Sequence, residues 1–136
     1  VARWPKTIKP GTKTDQVGHI IDFMPTFLAV AGTEYPAEYN GEKIIPVEGK
    51  SLLPILEGKD RDGHDWLFWE WAGSRAVRHG DWKLVGGKGA KEWELYDLSA
   101  DRTETNNLAA DHPERVQEMA VRWFAWAKET GTKGGK

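Results

Sequence analysis

Residues 66–98 carry the pattern that most restricts the fold, in which short aromatic and β-branched runs are separated by turn residues. The runs predict four strands joined as an antiparallel meander, at 66–71, 75–78, 82–85 and 93–98. Within Trp82-Lys83-Leu84 the apolar residues alternate with a charged one. One face of the sheet is therefore expected to be buried and the other to be wetter.

A helix is predicted to follow the sheet. Four apolar residues recur at helical spacing, namely Val116, Met119, Trp123 and Ala127. The stretch 111–114 (Asp-His-Pro-Glu) resembles a capping box with proline in the first turn, and Gly131 ends the pattern. We expect the apolar stripe of this helix to lie on the sheet.

The first half of the chain has weaker patterns. Asp22 is predicted to cap a short buried helix that ends at Gly32, and residues 33–50 are predicted to form a loop. The sequence thus indicates an α+β fold, a four-stranded antiparallel sheet packed by a C-terminal helix and preceded by an irregular segment with a short helix. We divide it into 1–60 and 61–136.

Composition excludes several classes of protein. The chain has no Cys, so it has no disulfide, no thiolate metal site and no cysteine nucleophile. Its formal net charge is −2, with both signs interspersed, and it has no basic stripe that would indicate a nucleic-acid or membrane-surface partner. No apolar run approaches the ~20 residues that a membrane span requires.

The residues on their own predict no catalytic centre and no metal site. The four His are too scattered to form a local ligand pair and are interpreted as structural or solvated. The acidic stretch 60–65 lacks the glycine and glutamate positions of a calcium loop, so we interpret it as a solvated turn.

Several stretches together nevertheless resemble the C-terminal part of a sulfatase, of the arylsulfatase type in the alkaline-phosphatase-like superfamily. Each is weak alone, but their order and spacing cover residues 1 to about 127. The matching stretches are Arg-Trp-Pro at 3–5, Pro-Gly-Thr at 10–12, Ile-Ile-Asp-Phe-Met-Pro-Thr-Phe-Leu at 20–28, Gly-Lys-Ser-Leu-Leu-Pro-Ile-Leu-Glu-Gly at 49–58, Trp-Glu at 69–70, Arg-Ala-Val-Arg at 75–78, Gly-Asp-Trp-Lys-Leu at 80–84 and Glu-Leu-Tyr-Asp-Leu at 94–98, followed by Asp101, Glu104, Asn107 and Leu108.

The resemblance implies a sulfuric ester hydrolase. That family uses a formylglycine, made from Cys or Ser in a Cys/Ser-x-Pro/Ala-x-Arg motif, and a calcium ion held by Asp and Asn. It places both upstream of residue 3, so we expect this chain to be a fragment without catalytic residues or metal ligands, inactive alone. Residues 74–78 formally fit Ser-x-Ala-x-Arg, but they fall in the predicted antiparallel meander, where 75–78 is itself a predicted strand, and they lack the family's Leu-Thr-Gly continuation.

The resemblance also indicates which residues lie near the substrate. In many relatives the stretch matching 69–78 reads Trp-Glu-His-Glu-Gly-Asn-Arg-Ala-Val-Arg and lies near the mouth of the sulfate pocket. Here Trp, Ala and Ser replace the His, the second Glu and the Asn. We therefore expect Glu70, Trp71, Ser74 and Arg75 to be substrate-proximal, with Trp71 as an aromatic platform. The alternative is that Glu70 and Arg75 pair across the hairpin and that Trp71 packs.

The partners implied are the missing N-terminal catalytic domain, against which residues 1–60 would pack, and a sulfated sugar or an aryl sulfate. Self-association of the fragment is a further possibility. The compartment implied is periplasmic, secreted or lysosomal, although the residues themselves specify none. Two other functions stay open at this point. One is a stand-alone Trp-rich carbohydrate-binding module, which would need several of the eight Trp exposed in one plane. The other is a protein-interaction domain, which would use the apolar surface that the missing domain covers.

Overall fold

The computed structural model describes residues 1–132 and divides the chain into two compact units, Val1–His64 and the part that begins at Asp65. The sequence placed this division four residues earlier, after residue 60. Within the described residues no helix is both long enough and apolar enough to cross a membrane.

The first unit is mostly irregular. A 3₁₀ turn at Ile20–Asp22 leads into helix α1, Phe23–Ala31, which ends at Gly32 with a left-handed φ of 67°. A small hairpin follows, whose strands β1 (Glu38–Tyr39) and β2 (Glu42–Lys43) have two residues each. The short helix α2 (Leu53–Leu56) comes after it.

Two expectations for this unit are wrong. Helix α1 was predicted to be buried, but its large apolar side chains Phe23, Met24, Phe27 and Val30 are exposed. Asp22 precedes α1 as predicted, yet its side chain makes no capping hydrogen bond to the helix. It is fully buried and bonded to segments that are distant in sequence.

The second unit confirms the predicted α+β fold. Its sheet has the order β3-β4-β5-β6, with every neighbouring pair antiparallel. The strands are β3 (Trp66–Trp71), β4 (Ser74–His79), β5 (Trp82–Gly86) and β6 (Glu94–Asp97). Helix α3, Pro113–Glu129, follows. The predicted capping box is wrong, because His112 occupies the N-cap position and makes no side-chain cap.

The core of this unit lies between the sheet and α3. Six residues are at most 1% exposed, namely Val77, Leu84, Leu95, Met119, Trp123 and Ala127. The indole N–H of Trp123 donates to the carbonyl oxygen of Trp69 at 3.0 Å, which fastens the helix to strand β3. Half-buried aromatic side chains surround this core, so most of the Trp residues are packing residues.

Candidate functional site

The residues expected near the substrate lie at one end of the β3–β4 hairpin, at residues 70–75, which we call the hairpin tip. Ala72 and Gly73 form its two-residue turn, with φ values of 51° and 89°. Positive φ at both positions is typical of the turns whose twist matches that of the two strands. The carboxylate of Glu70 accepts a hydrogen bond from the Gly73 N–H at 3.0 Å. The turn is therefore held by its own side chain.

The register divides the four predicted residues between the two faces of the hairpin. Glu70 pairs with Arg75, and Trp71 pairs with Ser74. Because paired residues share a face and successive residues alternate, Glu70 and Arg75 lie on the side of buried Val77, under α3. Trp71 and Ser74 lie on the opposite side. The two charges and the indole are thus at one end of the sheet but do not converge on one surface.

Trp71 is the exposed member of the set. It is 81% exposed, although it is the last residue of β3, a strand that contributes to the core. An indole has a large apolar body and an aromatic face that stacks well on a flat ring or on the C–H face of a sugar. Trp71 thus presents its indole to solvent at the end of the sheet.

Arg75 differs from Trp71, because its guanidinium packs inward on aromatic rings. Its Cζ lies 4.1 Å from the ring centroid of Trp93, with Trp123 and Phe124 at 5.8 and 5.6 Å. Nη2 is 3.4 Å from the carbonyl oxygen of Ala90. The attraction of a cation for aromatic faces, absent from any local pattern, explains this placement. Glu70 and Arg75 thus bind different groups, although they are opposite in register.

Lys88, on the loop that follows β5, is a cation that the sequence did not single out. A Cβ atom at Gly73 would lie 3.3 Å from Cγ of Lys88, so the alkyl stem of the lysine covers the turn of the hairpin tip. The only signal in the sequence was the Gly/Lys composition of that loop. The hairpin tip thus combines an exposed indole with the alkyl stem of a neighbouring lysine.

A second polar centre, in the first unit, is built around buried Asp22 and was missed by the sequence analysis. One carboxylate oxygen, Oδ2, accepts from the backbone N–H of His19 and from Nη2 of Arg61, both at 2.9 Å. The other, Oδ1, accepts from the Lys50 N–H at 2.9 Å and lies 2.6 Å from Nε2 of His64. We call these four contacts the Asp22 network.

The network keeps its carboxylate charged. Burial alone would raise the pKa of Asp22, but the hydrogen bonds from Lys50, His19, His64 and Arg61 outweigh burial and lower it from 3.8 to about 2. The side chains of Arg61 and His64 are only 5% and 7% exposed. The interpretation of residues 60–65 as a solvated turn is therefore wrong for these two.

The Asp22 network has the character of a structural anchor. The carboxylate is fully buried, and each of its oxygens already has two donors. No group of three or more His, Asp or Glu side chains placed to hold a metal occurs among residues 1–132. Neither centre therefore offers a set of metal ligands of this kind.

Comparison with known proteins identifies the family. The sequence profile described as N-sulphoglucosamine sulphohydrolase, C-terminal, matches residues 1–123. The chain belongs to the sulfatase family. It is similar to the C-terminal domain of these enzymes, as the motifs between residues 3 and 108 implied.

Individual sulfatases agree with this conclusion. The chain is 36% identical to an uncharacterized sulfatase of Schizosaccharomyces pombe, covering 96% of the chain and 25% of that protein. It is 31% identical to an N-acetylglucosamine-6-O-sulfatase of Bacteroides thetaiotaomicron, covering 88% and 23%. A solved structure in complex with its substrate, D-glucosamine-2-N,6-O-disulfate, matches with a TM-score of 0.65 and 28% identity, covering 96% of this chain and 28% of that one.

Two consequences follow from these matches. The chain spans about a quarter to a third of the length of the first curated relatives it matches. The alternative of a stand-alone carbohydrate-binding module has no support from them. That alternative also needs several Trp exposed in one plane, whereas only two of the eight Trp, Trp4 and Trp71, are exposed.

Proposed function

We propose that the chain is the C-terminal part of a sulfuric ester hydrolase, in which it supports the catalytic domain and lines the edge of the substrate pocket. The observation that carries this proposal is the sulfatase C-terminal match over residues 1–123, in a chain far shorter than its relatives. Such a part works together with the rest of the polypeptide. By family, we place the whole protein in the periplasm, in a lysosome or outside the cell.

The chemistry of sulfate hydrolysis is assigned to the remainder of the polypeptide. The family's formylglycine and calcium would reside there, and we derive no catalytic step from the residues of this chain. Ser74, the first residue of the Ser-x-Ala-x-Arg stretch, begins strand β4 and pairs with Trp71. Arg78, the last residue of that stretch, donates to the carbonyl oxygen of Gly80 at 2.7 Å. Strand and turn contacts thus account for both ends of the stretch.

The hairpin tip is proposed as the part that borders the substrate. Trp71 offers a stacking face for a sugar or aryl ring, and Ser74 offers a hydroxyl on the same face of the hairpin. Arg75 and Glu70 are positioning residues, because one packs on Trp93 and the other holds the Gly73 turn. The substrate class that suits this edge is a sulfated sugar, with an aryl sulfate as the second candidate. The solved relative that binds a disulfated glucosamine supports the first.

Sulfate release tests where the chemistry resides. The full-length polypeptide and the isolated 136-residue chain are each assayed with a chromogenic aryl sulfate and with D-glucosamine-2-N,6-O-disulfate. We expect turnover by the full-length polypeptide alone. Turnover by the isolated chain that disappears in Ser74→Ala would contradict the proposal, since it would make Ser74 the source of the nucleophile. Absence of any sulfate release by the full-length polypeptide would contradict it as well.

A further inference from the structure

Helix α1 and the turn before it present an apolar stripe to the outside of their unit. Five large apolar side chains are between 48% and 72% exposed, namely Ile20, Phe23, Met24, Phe27 and Val30. Their spacing places them along one side of the helix. The two buried residues of the same segment are polar, Asp22 and Thr26. The helix is therefore inverted relative to an ordinary surface helix, which turns its apolar stripe inward.

The inward side of α1 is fastened by hydrogen bonds. Asp22 takes part in the four contacts of the Asp22 network, and Thr26 accepts at its hydroxyl from the Leu52 N–H at 2.8 Å while donating to the Asp22 carbonyl at 2.6 Å. Turning the apolar stripe inward would break these bonds and leave the buried Arg61 without its carboxylate. The outward orientation of the stripe is thus fixed by the fold of its own unit.

Exposed apolar stripes of this kind mark contact surfaces. A membrane surface is a poor occupant, because α1 (Phe-Met-Pro-Thr-Phe-Leu-Ala-Val-Ala) has none of the Lys or Arg that surface-lying helices use. A second copy is also poorly suited. A nine-residue helix is only ~14 Å long, whereas a stable interface needs roughly 800 Å² from each partner. The stripe is better suited as one part of a larger contact.

The relatives indicate where a larger contact surface is available. In the curated relatives, two thirds or more of the protein lies outside the part that this chain matches. We infer that the stripe of Ile20, Phe23, Met24, Phe27 and Val30 is a docking surface for the catalytic domain of the same polypeptide, and that the Asp22 network holds it outward. The inference rests on the proposed function for the identity of that domain.

Substitutions at Phe27 in the full-length polypeptide test this surface. Phe27→Lys places a charge in the stripe, Phe27→Leu keeps it apolar, and Tyr39→Lys places the same charge at an equally exposed aromatic residue outside α1. Thermal unfolding is followed for all three. We expect the melting temperature to fall by several degrees in Phe27→Lys and to stay near the wild-type value in the other two, because a buried lysine is costly and an exposed one is not.

The outcomes separate the possible occupants. If Phe27→Lys is tolerated as well as Tyr39→Lys, the stripe is open to solvent in the whole protein and the inference is overturned. If light scattering shows that Phe27→Lys turns a dimer into a monomer whose melting temperature is unchanged, the occupant is a second copy, which also overturns it. Neither readout requires sulfatase activity. A full-length protein whose melting temperature falls in Phe27→Lys but not in Phe27→Leu or Tyr39→Lys, and which releases no sulfate, would refute the proposed function. The stripe would then still be a docking surface for the remainder of the polypeptide.

Discussion

Replacing Asp22 by Asn tests the anchor of the first unit with the smallest possible change of shape. The substitution keeps the size of the side chain but removes its charge and one acceptor. Both wild-type oxygens accept two donors each, among them Nη2 of Arg61, whose side chain is only 5% exposed. An Asn NH₂ group would face donors that the carboxylate satisfied, and the guanidinium would be left buried without its counterion.

The expected loss of stability is large for a unit of this size. Removing one partner of a buried ion pair costs ~3–5 kcal/mol. Domains hold about 0.05–0.15 kcal/mol per residue, which for the 64 residues of the unit gives roughly 3–10 kcal/mol. Asp22→Asn should therefore remove a third or more of the free energy that holds residues 1–64 together. The second unit, with its separate core, should be little affected.

Hydrogen exchange of the Leu52 amide measures this loss. That amide donates to Thr26 instead of Asp22, so its exchange reports the opening of the unit and not the lost bond itself. Asp62→Asn, which removes an exposed carboxylate in the same loop as Arg61, is the matched control. A loss of less than ~1 kcal/mol in the free energy of opening of Asp22→Asn, or a loss equal to that of the control, would refute the stabilising role of the Asp22 network.

The charge of Asp22 and the close approach of other atoms to Gly49 and Gly86 each give a prediction about stability. The folded-state pKa of Asp22, about 2, lies below its ordinary 3.8, so the stability that the ionised carboxylate contributes is present above pH 4 and is lost as the pH falls towards 2. In urea unfolding, the free energy of unfolding of the wild type should therefore fall by roughly 2 kcal/mol between pH 5 and pH 2. The same decrease should be much smaller in Asp22→Asn. Gly49→Ala should lower the free energy of unfolding in urea by ~1–3 kcal/mol, because the new Cβ would overlap the backbone carbonyl oxygen of Ile21. Gly63→Ala is the control and should change this free energy little, because no atom beyond its chain neighbours lies within 4 Å of the new Cβ. Gly86→Ala should lower the melting temperature, because the new Cβ would lie 2.6 Å from Nε of Arg75, and the loss should shrink when Arg75 is also replaced by Ala; additive losses would contradict that contact.

The second unit was predictable because its signals are local. Strand alternation and helical spacing can be recognised within a few residues, and the predicted strands agree with β3 to β6 to within two residues at each end. The small hairpin at Glu38–Lys43 had a local signal too, since Asn40-Gly41 adopts φ values of 52° and 82°. Asn-Gly favours such turns, yet the polar surroundings predicted only a loop.

The candidate sites were less predictable because their contacts are distant in sequence. Asp22 was interpreted as a local helix cap, but its side-chain partners Arg61 and His64 lie 39 and 42 residues away. Arg75 was considered as a substrate ligand or as a partner of Glu70. The rings it contacts, Trp93 and Trp123, come from a loop and from helix α3, and no spacing rule connects them to a hairpin.

The most direct test of the pocket-edge role is kcat/KM for sulfate release by the full-length polypeptide carrying Trp71→Ala, with Tyr39→Ala as the control at another exposed aromatic residue. We expect kcat/KM of Trp71→Ala on the sulfated sugar to fall ~5–30-fold, equivalent to about 1–2 kcal/mol of lost transition-state stabilisation. Its melting temperature and the activity of Tyr39→Ala should stay near the wild-type values, because both side chains are exposed. Wild-type kcat/KM in Trp71→Ala, or a loss that Tyr39→Ala shares, would contradict the placement of the hairpin tip at the substrate.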